Sequence, residues 1–264
     1  PCRKGSQRVP NKNTRPFAGV DGGLLRIKLE ELLKAKLIDK IILSSNDAEV
    51  LQIGKEFNHP KLCVMERPEN LCTSATSTDE LIAYVAELIP QGTILWTHVP
   101  SPFLSAETYD KMLQIYHDNR AEYDSLMSVN VIRNFLWNDS HPINYNRSIE
   151  KWPRTQTLQK IFEPNSGAFI ADASVYHTMK DRIGERVYMY ETSKLESLDI
   201  DWPEDFEFAE EDRLRKGLLQ SGLLCPDLQC PVQIHGLVHK DQILYHLNLR
   251  MITSLGSRMR TVAF

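Results

Sequence analysis

The most restrictive feature of this chain is a repeated switch between two apolar periodicities. Leu25, Leu29, Leu32 and Leu33 recur at helical spacing across residues 24–36, with Lys28, Glu30, Glu31 and Lys34 placed elsewhere on the helix. Residues 39–44 then form a short apolar run of strand type. Asn46-Asp-Ala-Glu offers a helix start ahead of Val50, Leu51 and Ile53, and residues 61–65 turn apolar again. The cycle repeats: Thr78-Asp-Glu opens a helix through Leu81, Val85 and Leu88, Pro90 and Gly92 stop it, residues 93–96 read as a strand, 105–116 as a helix and 123–132 as a strand. Strands alternating with helices over short connections predict an α/β domain, doubly wound, with a mostly parallel (mixed) sheet covered on both faces.

The rhythm breaks at residues 134–166, rich in Asn, Pro, Arg and Trp, and an irregular stretch of that length inside a domain reads as an insertion with a functional or interface role. Residues 167–171 and 187–190 resume as strands, and 203–216 form a helix with acids first and bases last, which suits the helix dipole. The expected organisation is a domain over residues 1–220 and an extension over 221–264 of unassigned role. Cys225, Cys230, His235, His239 and His246 in that extension are spaced too loosely for a zinc site to be the leading reading.

Composition narrows the function classes. With 31 Lys and Arg against 35 Asp and Glu, the net charge of -4 excludes a generally basic nucleic-acid-binding surface, so a polyanion must be met locally. Five cysteines (Cys2, Cys63, Cys72, Cys225, Cys230) without close pairs point to a reducing compartment, with the cytoplasm as the expected location. No run approaches the roughly 18 apolar residues of a membrane span, so no membrane association is expected.

Against that balance, Arg3, Lys4, Arg8, Lys12 and Arg15 precede the first acid, Asp21, with Gly5, Ser6 and two asparagines among them. Such a loop ahead of a helix is able to wrap phosphates with N–H groups, hydroxyls and cations, while on composition alone a solvated basic terminus is an equal reading. Neither a Walker loop nor a dinucleotide fingerprint is present in it. The second feature is Asp199-Ile200-Asp201. On a strand, alternation turns both carboxylates to one face, where they suit Mg²⁺ together with phosphate oxygens; taken alone, the pair more often marks a polar strand end.

These residues carry a resemblance. Arg3-Lys-Gly-Ser-Gln-Arg-Val-Pro-Asn-Lys-Asn13, Ser44-Ser-Asn-Asp47, Arg67-Pro-Glu-Asn-Leu71, Ser101-Pro102, Pro164-Asn-Ser-Gly-Ala-Phe169 and Asp199-Ile-Asp-Trp202 follow in order the motifs of the CMP-sialic acid synthetases, the acylneuraminate cytidylyltransferases. The resemblance implies a nucleotidyltransferase-type sheet with a dimerisation insertion, CTP and an acidic 2-keto sugar as substrates, Mg²⁺ as cofactor, and a homodimer. It assigns Arg3, Ser6, Gln7 and Asn13 to CTP, Lys12 to the reacting phosphates, Arg67 and Thr78 to cytidine, and Asp199 and Asp201 to the metal; Arg3, Lys12 and Asp201 form the catalytic group. His98, Arg154 and Gln156 fall at positions implied to contact the sugar, Arg154 by clamping its carboxylate across the dimer.

The chain also departs from the pattern. Gln7 stands where many members have a phosphate-contacting lysine, Asn46 replaces an acid, and Leu104 stands in place of an arginine. In the family an apolar strand at the centre of the sheet precedes the basic loop, whereas this sequence opens at the loop. The expectation is therefore either a shortened sequence or a compromised protein, with neighbouring strand edges left unpaired. A Kdo-type or other sugar nucleotidyltransferase, or a non-catalytic nucleotide-binding relative, remains an alternative.

Overall fold

In the computed structural model of the protein the described residues are Gly5 and 8–220, and the first of two compact units closes at Gly217. The cysteines and histidines of 221–264, like Arg3, Ser6 and Gln7, lie outside the described residues.

The elements follow the alternation read from the sequence: α1 (Gly23–Lys34), β1 (Ile41–Ser45), α2 (Ala48–Glu56), β2 (Leu62–Glu66), α3 (Thr78–Leu88), β3 (Thr93–Trp96), α4 (Ala106–Asp118), β4 (Ser125–Ile132), β5 (Ile161–Asp172), α5 (Ala173–Met179), β6 (Val187–Glu191) and α6 (Pro203–Gln220). Local chemistry sets the helix starts. Asp47 accepts from the Glu49 N–H at the head of α2, and Ser77 with Glu80 closes a reciprocal capping box at the head of α3, one residue before the expected start at Thr78.

β1 and β2 pair in parallel, and a four-stranded mixed sheet runs in the order β3-β5-β4-β6, with β5 antiparallel to both neighbours and β4 parallel to β6. Alternate residues of this sheet feed two cores. Leu126, Ala168 and Ile170 join α1 and α4 on one face, while Met127, Val129, Phe169 and Ala171 join α3 and α5 on the other. Both faces are covered, as a doubly wound domain requires.

Two elements differ from the sequence reading. β5 begins at Ile161, not at Gly167: Pro164 sits opposite Val129 beside a register shift in β4, and the Asn165 amide spans Asn130 and Thr192, so a segment that looked irregular is held in the ladder. The short α5 was not expected, because its Ser, His and Thr positions obscure the helical period; it ends on Lys180 in the left-handed region, at φ 56°.

Between the two sheets lies a cleft of ≈ 880 Å³, lined by Ile41, Ile42 and Ser44 of β1, Ile94 and Trp96 of β3, and Val85 of α3. Among the described strands β1 pairs only with β2 and β3 only with β5, so each turns an edge without ladder partners toward this space. The Arg67 guanidinium donates to the Ser44 carbonyl at 2.9 Å, satisfying one acceptor of β1.

The start of α1 is joined closely to the opening loop. Gly23 has φ +52°, and a Cβ there would overlap the Arg15 carbonyl oxygen, while the Leu25 N–H donates to the Asn13 carbonyl at 2.8 Å. A Gly23→Ala variant is expected to lose about 2 kcal/mol or more of unfolding free energy, read from urea denaturation; an unchanged midpoint would show that the loop and helix tolerate separation.

Candidate active site

The opening loop folds on itself before α1. The Lys12 N–H donates to the Val9 carbonyl, and Asn11, at φ 50°, accepts at its carbonyl from both Thr14 and Arg15. Val9 and Phe17 are fully buried and fix the loop to the core below, leaving Arg8 and Lys12 directed at the segment before α6.

There the two motifs meet. Lys12 Nζ donates to the Ile200 carbonyl at 2.5 Å and lies 3.3 Å from Asp201 Oδ1, the same oxygen that Arg8 reaches at 3.3 Å. Arg8 also stacks 4.9 Å from the Trp202 ring centre. The Asp199–Asp201 segment is irregular and not a strand as expected. Ile200 is fully buried and its N–H donates to the Pro100 carbonyl at 3.0 Å, so burial of the middle residue, and not a ladder, sends the flanking carboxylates away from the core.

Those carboxylates have unequal surroundings. Asp201 is exposed enough to exchange partners. Burial pushes the Asp199 carboxyl up, with the Asp201 charge adding and the Ser166 hydroxyl, Lys12 and Lys28 opposing; its Oδ1 is buried with no hydrogen-bond acceptor or donor partner. A buried, unsatisfied carboxylate oxygen two residues from a partly exposed carboxylate is a donor set suited to a hard divalent cation that keeps phosphate and water in its shell. No cluster of three or more His, Cys, Asp or Glu residues able to hold a metal occurs among the described residues, so the carboxylates such a site would draw on there are this pair.

Lys28 was not anticipated as part of the site. It falls between Leu25 and Leu29 on the stripe that packs inward, not on the polar face expected for it, and is 3% exposed. Its ammonium donates to the Ser101 carbonyl and to Tyr109 Oη, each at 2.6 Å, and Tyr109 Oη is 2.9 Å from Thr97 Oγ1, which donates to the Gly167 carbonyl at 2.7 Å. A charge at an apolar helical position was the available signal. This network fixes the 97–101 turn, whose Pro100 carbonyl holds Ile200.

His98, on the same turn, accepts from Trp96 Nε1 at 3.0 Å through Nε2, so the proton of the neutral ring resides on Nδ1. Burial, joined by the Arg182, Lys28 and Lys12 charges, pushes its pKa down to about 3. The imidazole is thus a fixed neutral donor and not a titrating base near neutral pH.

The remaining expected residues are dispersed. Asn13 is half-buried beside α1, and Arg67 is buried at the carboxyl ends of β1 and β2. Thr78 is exposed on the first turn of α3 and hydrogen-bonds to none of the loop or aspartate residues. Arg154 and Gln156 are exposed on the insertion, around the 3-10 turn Thr155–Thr157, and make no ion pair or hydrogen bond to the Lys12–Asp201 cluster in this single chain. The insertion also exposes Trp137, Ile143, Ile149 and Trp152.

The fold and the meeting of a basic loop with a carboxylate pair define a nucleotidyltransferase-type α/β protein. In fold the chain is similar to a CMP:2-keto-3-deoxy-manno-octonic acid synthetase complexed with CTP, with a TM-score of 0.55, 15% identity, and 83% of this chain and 96% of that one covered. It is similar also to the 4-diphosphocytidyl-2C-methyl-D-erythritol synthase of Anaerococcus prevotii, with a TM-score of 0.54, 16% identity, and 76% and 88% covered. The family profile described as Cytidylyltransferase matches residues 1–223, and the chain belongs to that family. Its relatives include an N-acylneuraminate cytidylyltransferase of Streptococcus agalactiae, 24% identical over 218 residues, and a pseudaminic acid cytidylyltransferase of Campylobacter jejuni, 23% identical over 220. The matches cover 78% and 79% of this chain; the chain spans about half the length of the first relative (50%) and 92% of the second. No helix among the described residues is long and apolar enough to cross a membrane.

Burial pushes the Lys28 pKa down to about 7, with Asp199 and Glu31 opposing. Below that value the lysine is protonated in both folded and unfolded chains and adds no slope. Between about 7 and its ordinary 10.5 the unfolded chain binds the extra proton, so stability rises with pH by up to about 1.4 kcal/mol per unit. Unfolding free energies at pH 6.5, 7.5 and 8.5 are expected to show this rise in the parent chain and not in Lys28→Met; parallel profiles would place the Lys28 ammonium in water.

Proposed function

We propose that the protein is a cytidylyltransferase that transfers CMP from CTP to the hydroxyl of a sialic-type 2-keto acid sugar, an N-acylneuraminate or related nonulosonic acid, releasing pyrophosphate. The observation that carries this reading is the shared contact of Lys12 and Arg8 with Asp201, which sets phosphate-binding cations against a carboxylate pair at one spot. The CMP-sugar chemistry of the named relatives supports the sugar class.

In this reading Arg3, Ser6, Gln7 and Asn13 hold the nucleotide phosphates and ribose side, and Arg67 and Thr78 read cytidine. Lys12 and Arg8 leave Asp201 Oδ1 for phosphate oxygens when CTP enters, which frees that carboxylate. Asp199 and Asp201 would hold Mg²⁺, which when bound supplies charge neutralisation of the triphosphate. The sugar hydroxyl oxygen attacks the α-phosphorus, the bond from that phosphorus to the bridging oxygen of pyrophosphate breaks, and the hydroxyl proton passes to solvent or phosphate. Positioning and charge compensation account for most of such a transfer. His98 serves as an Nδ1–H donor to a sugar oxygen, because its low pKa excludes it as the base.

Arg154 and Gln156 act across a homodimer built on the insertion, a reading supported by the four exposed apolar side chains around them. Ile149, the most exposed at 85%, tests it: Ile149→Asp is expected to yield a monomer by sedimentation and to lower turnover at least tenfold, while a dimeric, fully active variant would remove the insertion from the interface. For the chemistry, pyrophosphate release with CTP, Mg²⁺ and a panel of acidic sugars and sugar phosphates is expected only with the 2-keto acids. Asp201→Ala is expected to retain its melting temperature and lose turnover by about 10³-fold; full activity in that variant would refute the assignment.

A further inference from the structure

Lys28 is a costly residue for its position. It occupies a core-facing turn of α1 between Leu25 and Leu29, where an apolar side chain would pack without the desolvation of an ammonium, and it is buried together with both of its partners, Ser101 and Tyr109. The donors and acceptors along its hydrogen bonds follow from their inventory. Thr97 Oγ1 carries one hydrogen and gives it to the Gly167 carbonyl, so the Tyr109 hydroxyl donates to Thr97 and accepts from Lys28. Burial pushes the Tyr109 pKa up, which keeps that hydroxyl protonated.

Two arms therefore run from one ammonium, and both end beside Asp199. The first passes through the Ser101 carbonyl to its neighbour, the Pro100 carbonyl, which accepts the Ile200 N–H one residue after Asp199. The second passes through Tyr109 and Thr97 to Gly167, one residue after Ser166, whose hydroxyl acts on the Asp199 carboxylate. Lys28 and Asp199 form no ion pair with each other, although each feels the other's charge. Asp199 Oδ1 is buried without a hydrogen-bond partner, so the carboxylate is placed by its own backbone on one side and by Ser166 on the other, not by a bond to that oxygen. The Ile200 carbonyl is held in turn by Lys12, which leaves Asp201 at the more exposed end of the clamped segment.

We propose that Lys28 is a positioning residue for the carboxylate pair: it holds Asp199 in place through both arms and leaves the inner oxygen of that carboxylate to a divalent cation. This rests on the function proposed above and deepens it by naming what sets the cation's affinity. Lys12 and Arg8 compete for Asp201, so a cation held by two carboxylates depends on Asp199 being fixed where it binds. Groups behind a metal ligand that fix its orientation commonly change metal affinity by roughly 10- to 100-fold when removed. The chain of hydrogen bonds needs a donor at its head. A methionine at residue 28 fills the space and leaves the Ser101 carbonyl and the Tyr109 oxygen without that donor.

The test follows Mn²⁺ binding by electron paramagnetic resonance in the presence of saturating CTP, together with the melting temperature, in the parent, Lys28→Met, Lys28→Arg and Thr97→Val. Lys28→Met is expected to raise the Mn²⁺ Kd by roughly 10- to 100-fold. Thr97→Val, which cuts the second arm alone, is expected to raise it by a smaller factor, and Lys28→Arg, which restores a donor and the charge, to recover part of the loss. In initial rates the Mg²⁺ concentration for half-maximal turnover is expected to rise with the Kd in Lys28→Met, while the KM for CTP at saturating Mg²⁺ stays within about threefold of the parent. A merely structural lysine would lower the melting temperature and leave the Mn²⁺ Kd unchanged, and that result overturns the inference. If Lys28→Met does not fold, Thr97→Val decides, an unchanged Kd overturning the inference. A parent that binds Mn²⁺ but turns over no acidic sugar removes the proposed function and leaves the inference to the Kd values. A parent that binds no Mn²⁺ with CTP overturns the inference, whether or not turnover is seen.

Discussion

The site depends on a single ammonium. Lys12 Nζ, mostly withdrawn from solvent, bonds the Ile200 carbonyl and touches Asp201, and so ties residues near the start of the chain to residues 188 and 189 positions later. Everything else in the site is arranged to keep that tie in place. Val9 and Phe17 pin the loop, Gly23 lets α1 approach it, and Pro100 holds the aspartate segment from the other side. An ion pair this exposed at Asp201 contributes little to stability. In the function proposed above, its significance is that both partners exchange to new ligands when a phosphate arrives.

Around this tie the charges are sorted by solvent access. Lys28 sits beneath the 97–101 turn as a buried, satisfied donor, and Asp199 is half of a carboxylate pair whose inner oxygen lacks a partner. His98 is neutral and Arg182 is stacked on an aromatic ring. Of the described groups around the tie, His98 is held neutral at pH 7 and the Lys28 amine is committed to the Ser101 carbonyl and Tyr109. In the function proposed above, charge compensation on phosphate therefore outweighs proton removal.

The fold was readable in the sequence wherever burial and periodicity agree. α1, α4 and β4 follow from apolar spacing, and the chemistry of the opening loop and the aspartate pair from the density of charged types within a few residues. Lys28 was assigned to the polar side of α1 because charge was weighed above position, though the 25–28–29–32 pattern places it inward. β5 was cut short because Pro164 resembles a break and a bulge accommodates it. The stacking of Arg182 could not be found from sequence: Phe169 and Trp96 come together beneath it only through strand pairing. The cleft between β1 and β3 is likewise a property of sheet order, visible only once each strand's partners are known.

The convergence of loop and aspartates is tested most directly by a double-mutant cycle on nucleotide binding, with CTP and Mg²⁺ titrated calorimetrically into the parent, Lys12→Met, Asp201→Asn and the double variant. If both residues serve one metal-bound triphosphate, the single losses are not additive, and the coupling is about 1 kcal/mol or more. Additive losses, or full affinity in either single variant, would mean that the two motifs meet in space without sharing a ligand.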